Sequence, residues 1–292
     1  MPDESDAALT DHLSRRANGL PGPPANWLPF LREAGIASQC LTTGLATLRK
    51  ANHAQHGLFN QAFFELSIGF ERLLKLIVVI DHALEHDGIF PTNTLLKQAY
   101  GHDLEALFAK AKEIRERRSH EGLQWDLVDE NIATRIIKVL SEFASSTRYY
   151  NLDVLTASGT SSNQRDPLAA WFDEVASVLL ESYPRARRNK DTAFADFLDE
   201  VLGDHSAVRH TTEGGRPLST IRDLALHEAS MEHVQKEATF HCATIVRFLG
   251  EILAVLNHHS SPQGLIQIPF LSEFFAGFDN SNSYLKRRRT FT

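Results

Sequence analysis

The chain has 292 residues, and its 30 basic and 37 acidic side chains give it a formal charge of −7. A hydrophobic share of 42% is typical of a packed core and excludes a disordered chain, and two cysteines exclude a disulfide framework. The negative charge excludes broad coating of nucleic acid, because a local basic site would have to overcome phosphate repulsion. The acidic start differs from a signal peptide, and the longest apolar stretch is far shorter than the roughly 20 residues of a membrane span. We therefore expect a soluble, cytoplasmic protein with no membrane-spanning segment.

The first half of the chain is expected to form a leader followed by a helical bundle. Residues 1–26 combine charges with glycines and prolines, which predicts a flexible leader. Apolar residues recur at spacings of three and four over 59–84, which predicts an amphipathic helix that ends near Gly88. Further helices are predicted to begin near 102 and to span 128–149. Residues 27–155 would then form an N-terminal helical bundle.

The second half of the chain begins with a predicted linker at 157–164, where turn-forming residues replace apolar ones. Beyond it, helices are predicted over 167–183 and 191–202. The longest periodic run, 221–256, predicts a rod on the order of 50 Å long that packs against several helices or a second subunit.

The predicted fold class is all-α, because no segment shows a convincing strand alternation. We expect antiparallel helical bundles with one long C-terminal helix. Residues 165–259 would carry the C-terminal helices, either as a second bundle or packed as one domain with 27–155. Residues 260–292 are predicted to form an irregular tail.

The chemistry in the sequence depends on arginine and histidine, since the chain has no Gly-rich phosphate loop, HExxH motif or Gly-x-Ser-x-Gly motif. Arg222 and His227 form an R-x4-H pair, and Arg115 and His120 form another. About one such pair is expected by chance from the numbers of arginines and histidines, so context must separate them. Arg115 and His120 lie in a run typical of a solvated basic helix end, which makes them the weaker candidate.

The context of Arg222 favours phosphate chemistry. Thr220 and Asp223 fit a capping box, which places Arg222 in the first turn of a helix, where N–H groups and the helix dipole attract a phosphate. Asp223 and His227 share a helix face, so Asp223 is expected to orient the imidazole. The histidine would transfer a proton while the guanidinium stabilises the transition state, which is sufficient to cut RNA without a metal. The alternative is a helix cap followed by an exposed polar face.

A basic cluster precedes the acidic helix and is predicted to form a turn. Its members are Arg185, Arg187, Arg188 and Lys190. This cluster is interpreted as solubilising charge or as a weaker contact for RNA phosphates. No cysteine or histidine cluster has metal-ligand spacing, so neither a metal nor another cofactor is predicted.

Three segments of the chain are similar to one known family. Residues 64–75 resemble an early family helix with a glutamate and a lysine one turn apart, here Glu71 and Lys75. Residues 101–107 resemble the His-Asp-Leu opening of the following helix, and 222–227 match an R-x4–6-H motif. The chain in these respects resembles the HEPN superfamily, helical domains found in toxin–antitoxin, antiviral and RNA-processing systems.

The resemblance implies a metal-independent endoribonuclease that dimerises so that two motifs face one cleft. Arg222 would bind and polarise the scissile phosphate, His227 would transfer a proton, and Asp223 would support them. The implied partners are RNA or a nucleotide, a second copy of the chain, and a co-encoded regulatory protein. The alternative function is a non-catalytic HEPN-like module that binds a nucleotide, RNA or a partner protein.

Overall fold

The computed structural model describes residues 24–118, 123–156 and 164–291, and in these ranges the fold is all-α. The α-helices are α1 Trp27–Leu48, α2 Gly57–Glu85, α3 Asn93–Ala99, α4 Leu104–Arg118, α5 Glu130–Glu142, α6 Tyr150–Leu155, α7 Pro167–Trp171, α8 Ser177–Glu181, α9 Arg185–Leu202, α10 Ile221–Ser260 and α11 Asn282–Arg287. Two π-helical turns, Phe143–Thr147 and Phe172–Ala176, follow α5 and α7. Two 3-10 helices are Gly203–His205 and Ser272–Phe278. A short antiparallel hairpin pairs β1, His210–Thr211, with β2, Pro217–Leu218.

Helices α1 and α2 pack closely because a glycine of each helix faces a leucine of the other. A Cβ atom on Gly44 would lie 2.7 Å from Cγ of Leu66, and one on Gly69 would lie 2.6 Å from Cγ of Leu41. Real Cβ atoms do not approach other atoms so closely, so these two positions require glycine. The α1–α2 pair therefore depends on reciprocal glycine–leucine contacts.

Helix α10 is the central element of the core. It has 40 residues and a length of about 60 Å at about 1.5 Å per residue. Its most apolar window is long and apolar enough to cross a membrane by composition alone, but 78% of that window is buried inside the fold. This burial favours a core helix, as the sequence pattern predicts.

The buried apolar side chains from both halves of the described chain join one core cluster. Trp171 of α7 is fully buried, and its ring lies 5.1 Å from that of Phe63 on α2. Phe248 of α10 contacts Phe108 of α4 at 6.3 Å between ring centroids. The second half of the chain thus packs directly on the first.

The predicted helices of the first half have matching counterparts in α2, α4 and α5. Helix α2 ends as predicted, because Gly88 takes φ 85° and its N–H binds the carbonyl of Ala83 at 2.8 Å. Residues 1–23 of the predicted leader and 157–163 of the predicted linker lie outside the described residues.

Two predictions for the second half were wrong in part. The basic cluster at Arg185–Lys190 is not a turn but the start of α9, because Pro184 occupies the N-cap and the following residues continue the helix. The tail at 260–292 contains a 3-10 helix and α11 rather than irregular chain throughout. The guanidinium of Arg247 on α10 holds this tail by donating to the Asn280 carbonyl at 2.6 Å and to Oδ1 of Asn282 at 2.7 Å.

Candidate functional site

The first turn of α10 has the geometry that the sequence predicts. Oγ1 of Thr220 accepts a hydrogen bond from the backbone N–H of Asp223 at 2.9 Å, so Thr220 is the N-cap. Arg222 lies in the first helical turn. The positive end of the longest helix is therefore at the R-x4-H motif.

The β1–β2 hairpin folds against this helix start and brings Glu213 inward. The turn closes through a hydrogen bond from the Thr212 N–H to the Arg216 carbonyl at 2.8 Å, and Gly215 takes φ 81°, which a glycine adopts without strain. The side chain of Glu213 is completely buried. One of its oxygens, Oε1, has no hydrogen-bond partner among the described residues.

His227 is paired with this buried carboxylate. Nε2 of His227 lies 2.7 Å from Oε2 of Glu213, and the histidine side chain is 7% exposed. When Nε2 carries the proton and donates it to Glu213, the neutral ring has its lone pair on Nδ1. In that tautomer Nδ1 can accept a proton.

The predicted role of Asp223 in orienting His227 was wrong. The imidazole turns toward the hairpin because the buried Glu213 carboxylate needs a hydrogen-bonding partner, whereas Asp223 is half-buried at the helix start. Asp223 still lines the same cleft.

The R-x4-H cleft is a depression of about 350 Å³ that contains both motif residues. Its walls are Leu180, Arg216, Arg222, Asp223, Leu226, His227, Ser230 and Met231. Arg216 is exposed and has no ion-pair partner among the described residues. Its guanidinium is thus available to an anion that enters the cleft.

Two aspartates of α9 occupy the position where the sequence predicts a phosphate. Nε of Arg222 donates to Oδ1 of Asp196 at 2.6 Å, and the Arg222 backbone N–H donates to Oδ1 of Asp199 at 3.1 Å. The hydrogen bond to Asp196 raises the pKa of Arg222 above its ordinary value. Because both side chains of the ion pair are about half exposed, solvent screens the attraction and a phosphate can compete for the arginine.

Two further histidines lie beside the pair. The ring of His53, from the loop after α1, is 5.8 Å from that of His227 and 5.4 Å from that of His210, both in edge-on contact. No group of three or more His, Cys, Asp or Glu side chains in the described ranges could hold a metal ion. The ring of His53 is thus a second imidazole beside that of His227.

The predicted RNA-contact cluster is divided between paired and unpaired cations. Arg187 forms an ion pair with Glu232 at 2.9 Å, and Arg188 donates to the Leu180 carbonyl at 3.2 Å. Arg185 and Lys190 are exposed. Leu180 lines the R-x4-H cleft, so Arg188 contacts one of its walls.

The second R-x4-H pair is only half described, because His120 lies outside the described residues. Arg115 is not a solvated cation as predicted. Its guanidinium pairs with Asp126 at 2.8 Å, donates to the Trp125 carbonyl at 3.2 Å and lies over the ring of Phe248. These contacts give Arg115 a structural role that holds the segment after α4 against α10.

Two other segments discussed in the sequence analysis, 64–75 and 101–107, meet in a different, larger cleft. Glu71 and Lys75 of α2 form an ion pair at 2.6 Å, and Nδ1 of His102 lies 3.1 Å from the same carboxylate. Lys75 also donates to the Gly101 carbonyl at 2.8 Å. These groups are part of the α1–α2 cleft, which has a volume of about 650 Å³.

Sequence reasoning missed Glu213, Arg216 and His53 as neighbours of His227. Glu213 and Arg216 flank the Gly214-Gly215 pair, a pattern that by itself indicates only a turn. A glutamate in a glycine-rich turn indicates a functional residue only when the side chain that it binds is known. His53 is 174 residues away in the chain, so local patterns do not indicate its position.

Comparison with protein-family models, curated proteins and solved structures finds no significant match.

Proposed function

We propose that the R-x4-H cleft cuts RNA without a metal ion, as a HEPN-type endoribonuclease, in a cytoplasmic defence or toxin-like system. The observation that carries this proposal is that His227, hydrogen-bonded to the buried Glu213, lines one cleft together with Arg216 and Arg222. A carboxylate-oriented imidazole beside arginines combines proton transfer with binding of a phosphate.

In the proposed reaction, Nδ1 of His227 accepts the proton of a ribose 2′-hydroxyl. The 2′-oxygen attacks phosphorus, the bond to the 5′-oxygen breaks, and the product is a 2′,3′-cyclic phosphate. Arg216 and Arg222 stabilise the negative charge that accumulates on the phosphate oxygens. Glu213 stabilises the imidazolium that forms on His227.

The leaving 5′-oxygen needs a proton from a second donor. His53 is one source, because its ring contacts that of His227 within the same chain. The other source is His227 of a second copy of the chain. Replacing His53 with Gln separates the two, since cleavage is lost only if His53 supplies the proton.

Helix α9 supports the proposed homodimer. Phe194, Phe197 and Val201 lie on one face of α9 and are each more than half exposed. Basic residues fill its first turns at 185–190, and acidic residues follow at 191–204. Two copies of α9 packed antiparallel would bury the apolar face and place each basic end against an acidic end. Asp196, which binds Arg222, lies on a different face of α9, so the R-x4-H cleft of each copy would lie beside this interface and not within it.

Light scattering with the wild type and a Phe194→Ser, Phe197→Ser variant tests this pairing. We expect the wild type to be a dimer at micromolar concentration and the variant to be a monomer with unchanged helical content. A monomeric wild type contradicts the dimer.

The nuclease itself is tested by incubating the purified protein with mixed RNAs in EDTA. We expect fragments that end in 2′,3′-cyclic phosphate. Arg222→Ala should abolish the cleavage without unfolding the protein, because Arg222 is half exposed. Arg32→Ala removes the same charge from an exposed position on α1 and should cut like the wild type. Equal cleavage by both variants would remove Arg222 from the mechanism.

The second candidate function is a non-catalytic module that binds a nucleotide, RNA or a co-encoded protein. The contacts of Asp196 and Asp199 with Arg222 favour it, because they occupy the phosphate position in the described fold. It predicts saturable binding of a nucleotide in calorimetry and no RNA fragments in EDTA. Cleavage that depends on Arg222 would exclude it.

A further inference from the structure

The α1–α2 cleft is separate from the R-x4-H cleft and shares none of its lining residues. It lies on the outer side of α2 and is closed by the start of α1, the chain after α2, the start of α4 and the end of the π-turn that follows α5. Its volume of about 650 Å³ lies within the range of about 300–1,000 Å³ that small-molecule sites occupy. The cleft is therefore large enough for an organic molecule of about the size of a cofactor.

The floor of the cleft is apolar. Phe30 and Leu76 line it and are each 6% exposed, and Val79 and Phe90 continue the surface. The rings of Phe30 and Phe90 lie 5.4 Å apart at an angle of 57°. Such a surface gains free energy when it covers a ring or an aliphatic chain.

The rim of the cleft carries more cations than anions. Arg72, Lys75 and Arg148 line it together with Glu33 and Glu71. Arg72 pairs with Glu33, and Lys75 pairs with Glu71. Arg148 has no carboxylate partner among the described residues, and its guanidinium lies 4.9 Å from the centre of the Phe64 ring.

The paired groups hold Lys75 in a fixed orientation. Burial raises the pKa of Glu71, but hydrogen bonds from Lys75 and His102 outweigh it and leave the pKa below its ordinary value. Glu71 is thus an ionised anchor. Lys75 uses two of its three donors, on Glu71 and on the Gly101 carbonyl, and retains one for a ligand.

We propose that the α1–α2 cleft binds a small organic acid. Its apolar body, an aromatic ring or a short aliphatic chain, covers Phe30, Leu76 and Val79. Its acidic group, a carboxylate, sulfonate or phosphate, accepts hydrogen bonds from Arg148 and from the remaining donor of Lys75. A neutral apolar molecule would leave Arg148 without a counter-ion, and a polar anion without an apolar body would leave the floor uncovered.

The test uses two matched probes: 8-anilinonaphthalene-1-sulfonate, and the neutral N-phenyl-1-naphthylamine, which has the same body without the sulfonate. We expect the sulfonate to bind saturably at one site per chain in titration calorimetry and the neutral probe to bind more weakly. Arg148→Met should lower the affinity for the sulfonate about tenfold, which is the effect of losing one charge-assisted hydrogen bond. The affinity for the neutral probe should stay unchanged.

Lys50→Met is the control, because Lys50 is an exposed lysine beyond the opposite end of α1 and is not among the residues that line the cleft. Val79→Trp fills the floor and should abolish the binding of both probes. Near-ultraviolet circular dichroism verifies native packing in each variant, since expanded states also bind the sulfonate. The proposal is overturned if the wild type does not bind the sulfonate, or if Arg148→Met and Lys50→Met bind it equally.

Discussion

The two clefts of this protein differ in how the chain builds them. Apart from Leu180, the residues that line the R-x4-H cleft come from one stretch, 216–231, where the end of a hairpin turn meets the helix that follows it. The α1–α2 cleft draws its walls from segments between Asn26 and Arg148. The first has a buried carboxylate–histidine hydrogen bond behind a wall of mixed polar and apolar residues, whereas the second has an apolar floor and a cationic rim. The R-x4-H motif therefore indicates the first cleft, whereas the second forms only where segments distant in the chain pack together.

The largest expected effect concerns the buried pair of the R-x4-H cleft. His227→Ala leaves the Glu213 carboxylate buried without a partner, so we expect it to lower the free energy of unfolding by about 3–5 kcal/mol. Urea denaturation measures this loss.

A double variant, His227→Gln with Glu213→Gln, is the control for this loss. Two amides can hydrogen-bond without a buried charge, so the double variant should recover most of the stability of the wild type. Equal losses in His227→Ala and in the double variant would show that the loss of stability does not come from a buried carboxylate without a partner.

The next effect concerns the packing that supports the α1–α2 cleft. Gly69→Ala places a Cβ atom against Leu41 and should force the two helices apart, at a cost of about 1–3 kcal/mol in urea denaturation. The same variant should lower the affinity of the α1–α2 cleft for 8-anilinonaphthalene-1-sulfonate and leave RNA cleavage unchanged. Gly57→Ala is the control, since a Cβ atom there meets no atom within 4 Å. Equal losses in both variants would contradict the packing argument.

A smaller effect is expected where α9 occupies the phosphate position. Asp196→Asn removes the charge that competes for Arg222, and RNA should bind about threefold more tightly in titrations at low salt. Glu200→Gln removes the same charge from an exposed position of α9 and should increase the affinity for RNA by less. Identical gains in the two variants would show a general charge effect rather than competition at Arg222.

The smallest effect is the response of stability to pH. Burial lowers the pKa of His233 and of His241. The unfolded chain takes up these protons near the ordinary pKa of about 6.5, whereas the folded chain resists them, so stability should fall as the pH decreases below about 6.5. Urea denaturation at several pH values measures the slope. His241→Asn should flatten it, and an unchanged slope would contradict the assignment.

The helices were predictable from the sequence because the apolar residues that they bury recur every three or four positions. The cap of α10 was predictable for a similar reason, since Thr220 and Asp223 act on the nearest turn. The partner of His227 was not predictable, because the buried Glu213 reaches it only through the hairpin fold. The α1–α2 cleft also depends on glycine–leucine contacts between helices, and neither motif nor spacing marks them.

The central claim is that the R-x4-H cleft, and not the α1–α2 cleft, cuts RNA. Its most direct test compares Arg222→Ala and Arg148→Met for cleavage of one end-labelled RNA in EDTA, with the product ends identified. We expect Arg148→Met to yield 2′,3′-cyclic phosphate ends at the rate of the wild type and Arg222→Ala to yield none. Undiminished cleavage by Arg222→Ala, or loss of cleavage in Arg148→Met alone, would contradict the central claim.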